Sequence, residues 1–143
     1  MDRTKIAVIR VRGNVNLRSE VKSTFEALNL HTKNWCVVLE NTPSVLGMLA
    51  TVKDFCTWGD ITEDMLKELV AKRGEPFDER TEDSKSKIQY KYFEYDGKKY
   101  NRVFRLNSPV HSYGRMGVKF GFADGGALGN RKEKINDLLK RMI

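Results

Sequence analysis

The order of strand-like and helix-like segments in the first sixty residues is the feature that most constrains the fold. Strand-like runs lie at residues 5–12, 34–40 and 54–59, and the second run is apolar along most of its length, as is typical of an interior strand. A short helical pattern separates each pair of runs. The order therefore predicts a core domain over residues 1–60 with β-α-β-α-β order, in which one sheet and two helices form a mixed α/β (α+β) sandwich.

The first strand is expected to be buried at one end and exposed at the other. It begins with apolar residues on both faces and ends in Arg10 and Arg12. The loop after it offers Asn16 or Ser19 as the N-cap of the first helix. The second helix carries Gly47, which costs about 1 kcal/mol relative to alanine and so indicates close packing of that helix against protein or RNA.

A C-terminal extension over residues 61–143 is expected to pack on the core. Its predicted elements are a helix at 62–73, a hairpin at about 88–106, a loop at 107–129 and a helix at 130–142. The loop is rich in glycine, and its length indicates that it is either functional or disordered. Its low acid content favours a segment that becomes ordered on a partner.

The predicted hairpin combines a strong turn signal with many aromatic residues. Asp96-Gly97 is typical of a type I′ turn, and the flanking segments interleave tyrosine and phenylalanine with lysine and arginine, including Arg105. Aromatic residues in strands mostly pack across the sheet and into the core. On an exposed face they can stack on bases instead, so both interpretations stay open here.

The glycine-rich stretch GGALGN at residues 125–130 leads into the basic final helix. Asn130 is a suitable N-cap, and Glu133 completes the spacing of a capping box. The glycines would leave backbone N–H groups free beside Arg131 and Lys132. The stretch has neither the GxxxxGK[ST] nor the GxGxxG spacing of a nucleotide-binding loop. It is therefore either a tight turn with solvated charges or a grip on a polyphosphate backbone.

The charge of the chain fits a polyanionic partner. The 26 lysine and arginine residues exceed the 19 aspartate and glutamate residues, which gives a net charge of +7. Residues 81–143 alone carry 14 basic and 7 acidic side chains, so their excess equals that of the whole chain. An ordinary basic surface is the alternative, since charge by itself predicts nothing about fold.

Several functional classes are disfavoured by the sequence. Cys36 and Cys56 stand far apart in apolar runs, so we interpret them as buried free thiols, and His31 and His111 are isolated. We expect no metal and no cofactor. No apolar run approaches membrane-spanning length and the N-terminus lacks the signal-peptide pattern, so we expect a soluble, cytoplasmic protein without a membrane partner.

Three blocks of the sequence resemble one known family across nearly the whole chain. The blocks are IRVRGNVNLRSEV…TFEALNL, ENTPSVLGMLATVKDFCTWG and FRLNSP…GGALGNRKEKINDLLKRM. They resemble the universal large-subunit ribosomal protein called L-thirty in bacteria and archaea and L-seven in eukaryotes. The first sixty residues are similar to the whole bacterial form, and the C-terminal block is similar to the archaeal and eukaryotic forms. Because the long basic N-terminal arm of eukaryotic members is missing, we expect the archaeal type.

The resemblance implies a ferredoxin-like fold for the core and a structural, non-enzymatic role in the large ribosomal subunit. The implied partners are 23S rRNA, 5S rRNA nearby and neighbouring large-subunit proteins, with no cofactor and no small-molecule substrate. Two departures limit what is carried over. Leu46 stands where bacterial relatives have an arginine, so no RNA contact is assigned there. SPVHSYGRMG replaces the compact SPRGG of eukaryotic relatives, and Arg115 is the candidate to take over that role.

The candidate RNA-binding residues are cations, amides and glycines at loops and helix starts, because RNA-binding proteins neutralise phosphates and match RNA shape. They are Arg10, Arg12, Asn14, Asn16 and Arg18 after the first strand; Arg105, Arg115 and Lys119 in the extension; and Gly125, Gly126, Asn130, Arg131 and Lys132 before the last helix.

Two other functions compete with the ribosomal one. A free-standing RNA-binding protein fits the charge equally well. A small acyl-phosphate hydrolase is suggested by a passing likeness of RVRGNVNLR at residues 10–18 to the phosphate loop of acylphosphatases. That family's QG and FR signature is missing from the loop, and the C-terminal half has no counterpart in such an enzyme.

Overall fold

The predicted β-α-β-α-β order of the core is confirmed by a computed structural model, which describes residues 4–77, 84–85 and 92–143. The core elements are β1 (Lys5–Arg10), α1 (Ser19–Leu28), β2 (Trp35–Glu40), α2 (Pro43–Thr51) and β3 (Cys56–Asp60). The extension contributes α3 (Glu63–Arg73), β4 (Phe93–Tyr95), β5 (Lys98–Tyr100), β6 (Val103–Arg105), β7 (Gly129–Asn130) and α4 (Ile135–Met142). No helix in the described ranges is both long and apolar enough to cross a membrane.

Five strands form one mixed sheet in the order β6-β2-β1-β3-β7. The central strand β1 runs antiparallel to both neighbours, so that Val8 lies opposite Val37 on β2 and Trp58 on β3. The extension supplies both edges, since β6 pairs antiparallel with β2 and β7 pairs parallel with β3. The predicted core and extension therefore share a single sheet.

One face of the sheet packs against α1 and α2. Ile6 and Val8 of β1 meet Phe25, Leu28 and Leu49 of the two helices in a buried cluster. The i, i+4, i+7 spacing of the apolar residues in α1 predicted its buried side.

Helix α2 has the N-cap that the sequence predicted, and helix α1 does not. The hydroxyl of Thr42 accepts a hydrogen bond from the Val45 backbone N–H at 3.3 Å, with Pro43 in the first turn, as the sequence predicted. Helix α1 starts at Ser19 without a side-chain cap bond, so the expected cap by Asn16 or Ser19 is wrong. Asn16 instead adopts a left-handed conformation with φ of 56° within the loop.

The opposite face of the sheet packs against α3 and α4 of the extension. Ala7 and Ile9 of β1 contact a cluster that includes Phe104 of β6 and Leu138 and Leu139 of α4. Both faces of β1 are therefore fully covered, which explains why this strand is apolar on both sides.

The predicted hairpin forms, and it packs inward. Asp96 and Gly97 have φ of 50° and 76°, the pair of positive values that a type I′ turn requires. The ring of Phe93 meets that of Phe104 edge to face at 5.7 Å between centroids, and Tyr95 and Tyr100 pack on the same cluster. Core packing therefore explains these aromatic residues better than base stacking does. Residues 88–91 of the predicted hairpin lie outside the described residues.

Candidate nucleic-acid interface

The loop after β1 is organised by Arg10, which is only 1% exposed. Its guanidinium donates to the carbonyl oxygens of Arg12 at 2.9 Å and Leu30 at 2.7 Å, and to the side-chain oxygen of Asn14. It also lies over the ring of Phe25, 4.0 Å from the centroid. The expectation that β1 ends in an exposed Arg10 is wrong, because nearby carbonyls and a ring pair its charge inside the fold.

Burial of Arg10 leaves Arg12 and Arg18 as the cations of this loop that reach the surface. Burial lowers the pKa of Arg10, while the side chain of Arg12 is half-buried and donates only a long contact of 3.5 Å to the Asp54 carbonyl. Asn14 is held between Arg10 and the carbonyl of His31, to which its amide donates at 3.2 Å. Arg18 and Asn16 are exposed on the same loop.

The glycine turn at residues 125–130 uses its backbone N–H groups internally. Gly125 N–H donates to the Phe122 carbonyl at 3.0 Å, and Gly126 N–H donates to the Gly121 carbonyl at 2.9 Å. Ala127 and Leu128 N–H groups both donate to the Phe120 carbonyl. A Cβ on Gly126 would lie 2.2 Å from that same carbonyl oxygen, so glycine is required for this close approach. Gly125 and Gly126 therefore build the turn and do not offer open amides to a phosphate.

Arg131 is also buried, at 4% exposure. Its guanidinium donates to the hydroxyl of Thr57 at 2.9 Å and to the carbonyls of Tyr113 at 2.8 Å and Ala127 at 3.1 Å. Desolvation is the main cause that lowers the pKa of Arg131 to about 10, so the side chain stays charged at neutral pH. The expected surface role of Arg131 is replaced by that of a clamp between β3 and the glycine-rich segment.

The last helix begins later than the sequence predicted. Asn130 lies in β7, where it pairs with Trp58, and its side-chain oxygen accepts from the Lys132 N–H at 2.8 Å. Lys132 has φ of 52°, which a continuous α-helix does not permit, and α4 starts only at Ile135. The capping box at Asn130 is therefore wrong, and exposed Lys132 lies on a turn that precedes the helix.

A cleft of about 320 Å³ joins the core to the glycine-rich segment; we call it the Asn34 cleft. Its lining comprises Val11, Arg12, Gly13, Lys33, Asn34, Ser108, Tyr113 and Val118. Asn34 forms hydrogen bonds to several segments around the cleft. Its backbone N–H donates to the Arg10 carbonyl at 2.7 Å, and its side-chain amide donates to the Ser108 hydroxyl at 3.3 Å. The hydroxyl of Tyr113 donates to the Asn34 side-chain oxygen, and burial raises the pKa of Tyr113 to about 12.

Four cations surround the Asn34 cleft, of which three are exposed and one, Arg12, is half-buried. Arg12 and Lys33 line it directly, and Arg115 and Lys119 lie on the exposed stretch on either side of Val118, which also lines it. This stretch is hydrogen-bonded to the glycine turn, since Met116 N–H donates to the Gly125 carbonyl at 3.0 Å. The cleft can therefore take a polyanion, with charge from both ends of the chain around uncharged hydrogen-bonding groups.

Arg105 lies apart from this group. On β6 it forms an ion pair with Glu75, with 2.5 Å between its Nη2 and a carboxylate oxygen. The pattern of basic residues could not separate it from the others, because its partner comes from the chain after α3.

The sequence interpretation did not identify Lys33, Asn34, Ser108 and Tyr113 as site residues. They meet only because β2 lies beside β1 while the segment after β6 returns across its start. The sequence held one weak signal, an asparagine at position 34 just before β2. Asparagine tolerates positive φ better than most residues, and Asn34 has a φ of 68°.

Comparison with known proteins gives one consistent result. The sequence profile of the family described as Ribosomal protein L30p/L7e matches residues 6–56. A Methanococcus maripaludis protein named large ribosomal subunit protein uL30 is 39% identical over 96% of this chain and 98% of its own length. The proteins of the same name from Methanopyrus kandleri and Nanoarchaeum equitans are 39% and 38% identical over 93% and 96% of this chain, and over 100% and 97% of their own lengths.

Proposed function

The chain belongs to the ribosomal protein L30p/L7e family, also named uL30, and on that premise we propose that it is a structural constituent of the large ribosomal subunit. The observation that carries this conclusion is the 39% identity to an archaeal uL30 over 96% of the chain. The predicted family and its archaeal type are confirmed by these relatives. A member of this family is a structural protein rather than an enzyme, and its place is on the ribosome in the cytoplasm.

The Asn34 cleft is the surface that we assign to rRNA. Arg12 and Lys33 would neutralise phosphates, and the hydroxyl and amide groups of Ser108 and Asn34 would meet 2′-hydroxyls or phosphate oxygens. Arg10 and Arg131 act as positioning residues, because their guanidinium groups bind protein atoms on the two sides of the cleft. This assignment is supported by the exposure of Lys33, Arg115 and Lys119 and by the half-buried Arg12 beside them.

The identity of the RNA is a finer proposal. We assign the contact to 23S rRNA, with 5S rRNA and neighbouring large-subunit proteins as further partners, as the family resemblance implies. Ultraviolet cross-linking of assembled large subunits, followed by sequencing of the RNA attached to this chain, tests that assignment. Cross-links confined to 5S rRNA, with none to 23S rRNA, would contradict it.

Sedimentation tests the ribosomal role itself. We expect the protein to comigrate with large subunits in a sucrose gradient and to stay there through a moderate salt wash. A position at the top of the gradient in low and high salt would contradict the proposal. In that case an RNA pull-down would test a free-standing RNA-binding role, and an acetyl-phosphate assay would test the hydrolase.

The cations of the Asn34 cleft have a measurable signature in salt dependence. Replacing Arg12 and Lys33 together by glutamine should reduce the slope of log affinity for large-subunit rRNA against log salt by about 1.4–1.8, because each phosphate contact contributes roughly 0.7–0.9. Filter binding over a range of potassium chloride concentrations measures it. Replacement of the buried Arg10 is not equivalent, because that side chain faces protein. An unchanged slope in the double variant would remove the cleft from the interface.

A further inference from the structure

A second cleft lies on the other side of the loop that carries Lys33 and Asn34. Its volume is about 400 Å³, and we call it the Arg102 cleft. Its lining comprises Asn29, Trp35, Glu75, Asn101, Arg102, Val103 and Arg105. It is formed where the edge strand β6 pairs with β2, with Trp35 opposite Arg105. The two clefts thus flank one short loop, with Lys33 and Asn34 in the first and Trp35 in the second.

Among the described residues, the charges inside the Arg102 cleft leave one cation without a counterion. Glu75 is paired with Arg105, whose Nε donates to it at 2.7 Å, and it accepts a further hydrogen bond from the Asn101 amide at 3.2 Å. Arg102 forms no hydrogen bond or ion pair with any residue in the described ranges, although it is half-buried. Burial lowers the pKa of Arg102, which reflects the cost of holding an unpaired guanidinium there. An anion in the cleft would offset that cost.

The rest of the lining fits a planar ring beside that anion. Trp35 is half-buried, and its indole meets the exposed imidazole of His31 edge to face at 6.2 Å between centroids. Asn29 also lines the cleft. An aromatic wall, amide groups and an unpaired guanidinium are the groups with which proteins hold an unstacked nucleotide. The volume lies within the roughly 300–1,000 Å³ that small-molecule sites occupy.

We propose that the Arg102 cleft holds one nucleotide of the bound rRNA, with its phosphate on Arg102 and its base against Trp35. This inference rests on the proposed rRNA-binding function and extends that interface around the loop to the edge of the sheet. Continuity with the Asn34 cleft favours RNA over an acidic peptide, because one strand can run from the phosphates at Lys33 to a base at Trp35. A carboxylate from a neighbouring protein would pair with Arg102 but would place no ring against the open side of the indole.

The first test is the salt dependence of binding to purified large-subunit rRNA by the full chain. Arg102→Gln should reduce the slope by about 0.7–0.9, the contribution of one phosphate. Arg102→Lys should keep most of the slope, because it retains the charge. The matched control is Lys98→Gln, which removes the same charge from an exposed position on the hairpin and should leave the slope unchanged. Equal losses in Arg102→Gln and Lys98→Gln would overturn the proposal, since they would indicate only a general charge effect.

The second test reports on the base. Trp58→Phe leaves Trp35 as the sole tryptophan, so its fluorescence can be followed as rRNA is added. We expect rRNA to quench this fluorescence. In the Arg102→Gln variant, the apparent affinity obtained from the quenching curve should be several-fold weaker. Thermal unfolding of each variant checks that it is folded. If Arg102→Gln does not fold, Arg102→Lys serves as the second variant.

The possible failures are distinguishable. If the Trp58→Phe protein binds rRNA while Trp35 fluorescence and the Arg102→Gln slope do not change, the cleft proposal is overturned and the ribosomal function stands. If Trp35 responds to RNA-free large-subunit proteins and not to rRNA, the occupant is a protein and the proposal is again overturned. If the unmodified protein neither binds rRNA nor sediments with large subunits, the proposed function fails, and this inference fails with it.

Discussion

Two arginine side chains act as internal connectors in this protein. Arg10 donates to Leu30, twenty residues along the chain, and Arg131 donates to Thr57, which precedes it by seventy-four residues. Each guanidinium presents several donors in a rigid fork, so one side chain satisfies the carbonyls or hydroxyls of separate segments at once. Arg10 thereby orders the loop after β1, and Arg131 orders the glycine-rich segment through its further bond to the Tyr113 carbonyl.

Loss of the Arg10 fork should destabilise the fold. Arg10→Gln cannot reach all three of its acceptors, and we expect the free energy of unfolding to fall by about 2–3 kcal/mol, because the buried Leu30 carbonyl loses its partner. Urea unfolding followed by circular dichroism measures this. The control is Arg18→Gln, an exposed site of the same chemistry at which the change should stay within about 0.5 kcal/mol. Equal effects at the two positions would show that Arg10 does not connect the loops.

The buried thiols give a pH dependence with a definite sign. Burial raises the pKa of Cys36 from 9.0 to about 12, and it also raises the pKa of Cys56. The folded state therefore keeps protons that the unfolded state releases, so this contribution to stability is complete below pH 9 and is lost as the pH rises toward 12. In reducing buffer, the free energy of unfolding should decrease less steeply with pH in the Cys36→Ala variant than in the wild type. The difference between the two slopes should be up to about 1.4 kcal/mol per pH unit in that range. Identical pH profiles for variant and wild type would contradict this cause.

At the scale of single elements, two glycines of similar appearance in the sequence have opposite structural roles. Gly47 lies in α2, and no atom of the described residues outside its own helix turn lies within 4 Å of the point that a Cβ would occupy, so the expected close packing against protein is not found there. Gly47→Ala should therefore raise the free energy of unfolding by about 0.5–1 kcal/mol through helix propensity. Gly126→Ala should lower it by about 2 kcal/mol, because the added carbon would meet the Phe120 carbonyl. Thermal or urea unfolding of the two variants and the wild type measures both changes. Stabilisation by Gly126→Ala would contradict the prediction, because it would show that the turn can accommodate a Cβ.

Elements set by local periodicity were predictable, and elements set by distant pairing were not. The spacing of Val21, Phe25 and Leu28 in α1 and the Thr42 cap of α2 are local signals, and both hold in the structure. Asn130 shows the opposite case. It satisfies a capping box in sequence, yet pairing of β7 with β3 takes it into a strand, because bonds such as Arg131 N–H to the Trp58 carbonyl at 2.8 Å compensate for the lost helical turn.

The same distinction applies to the candidate site. A basic residue in a loop is visible in the sequence, but its burial depends on acceptors far along the chain. Arg10 and Arg12 are two residues apart, and only the first finds the Leu30 carbonyl and the Phe25 ring. The site after β1 therefore stays a prediction, and the sequence assigned to it a cation, Arg10, that the fold uses internally.

For the whole molecule, the shared sheet makes the extension part of the core's stability. Both edge strands, β6 and β7, come from residues beyond position 100, and so does α4, which covers one face of β1. Removing the extension would expose Ala7, Ile9 and Cys36, which are now fully buried, together with two unpaired strand edges. We infer that the chain unfolds as one cooperative unit.

A fragment comprising residues 1–61 provides the test of that cooperativity. The full chain should show a single urea transition with coincident tryptophan fluorescence and circular dichroism, since the two buried clusters lie on opposite faces of the same sheet. The fragment should lack a sigmoidal transition or aggregate, because the apolar face of its sheet that α3 and α4 cover in the full chain would be exposed to water. A fragment that unfolds with the same midpoint as the full chain would show instead that the extension docks on an independently stable core. The Arg131 contacts to Thr57 and Tyr113 would then act only to order the glycine-rich segment.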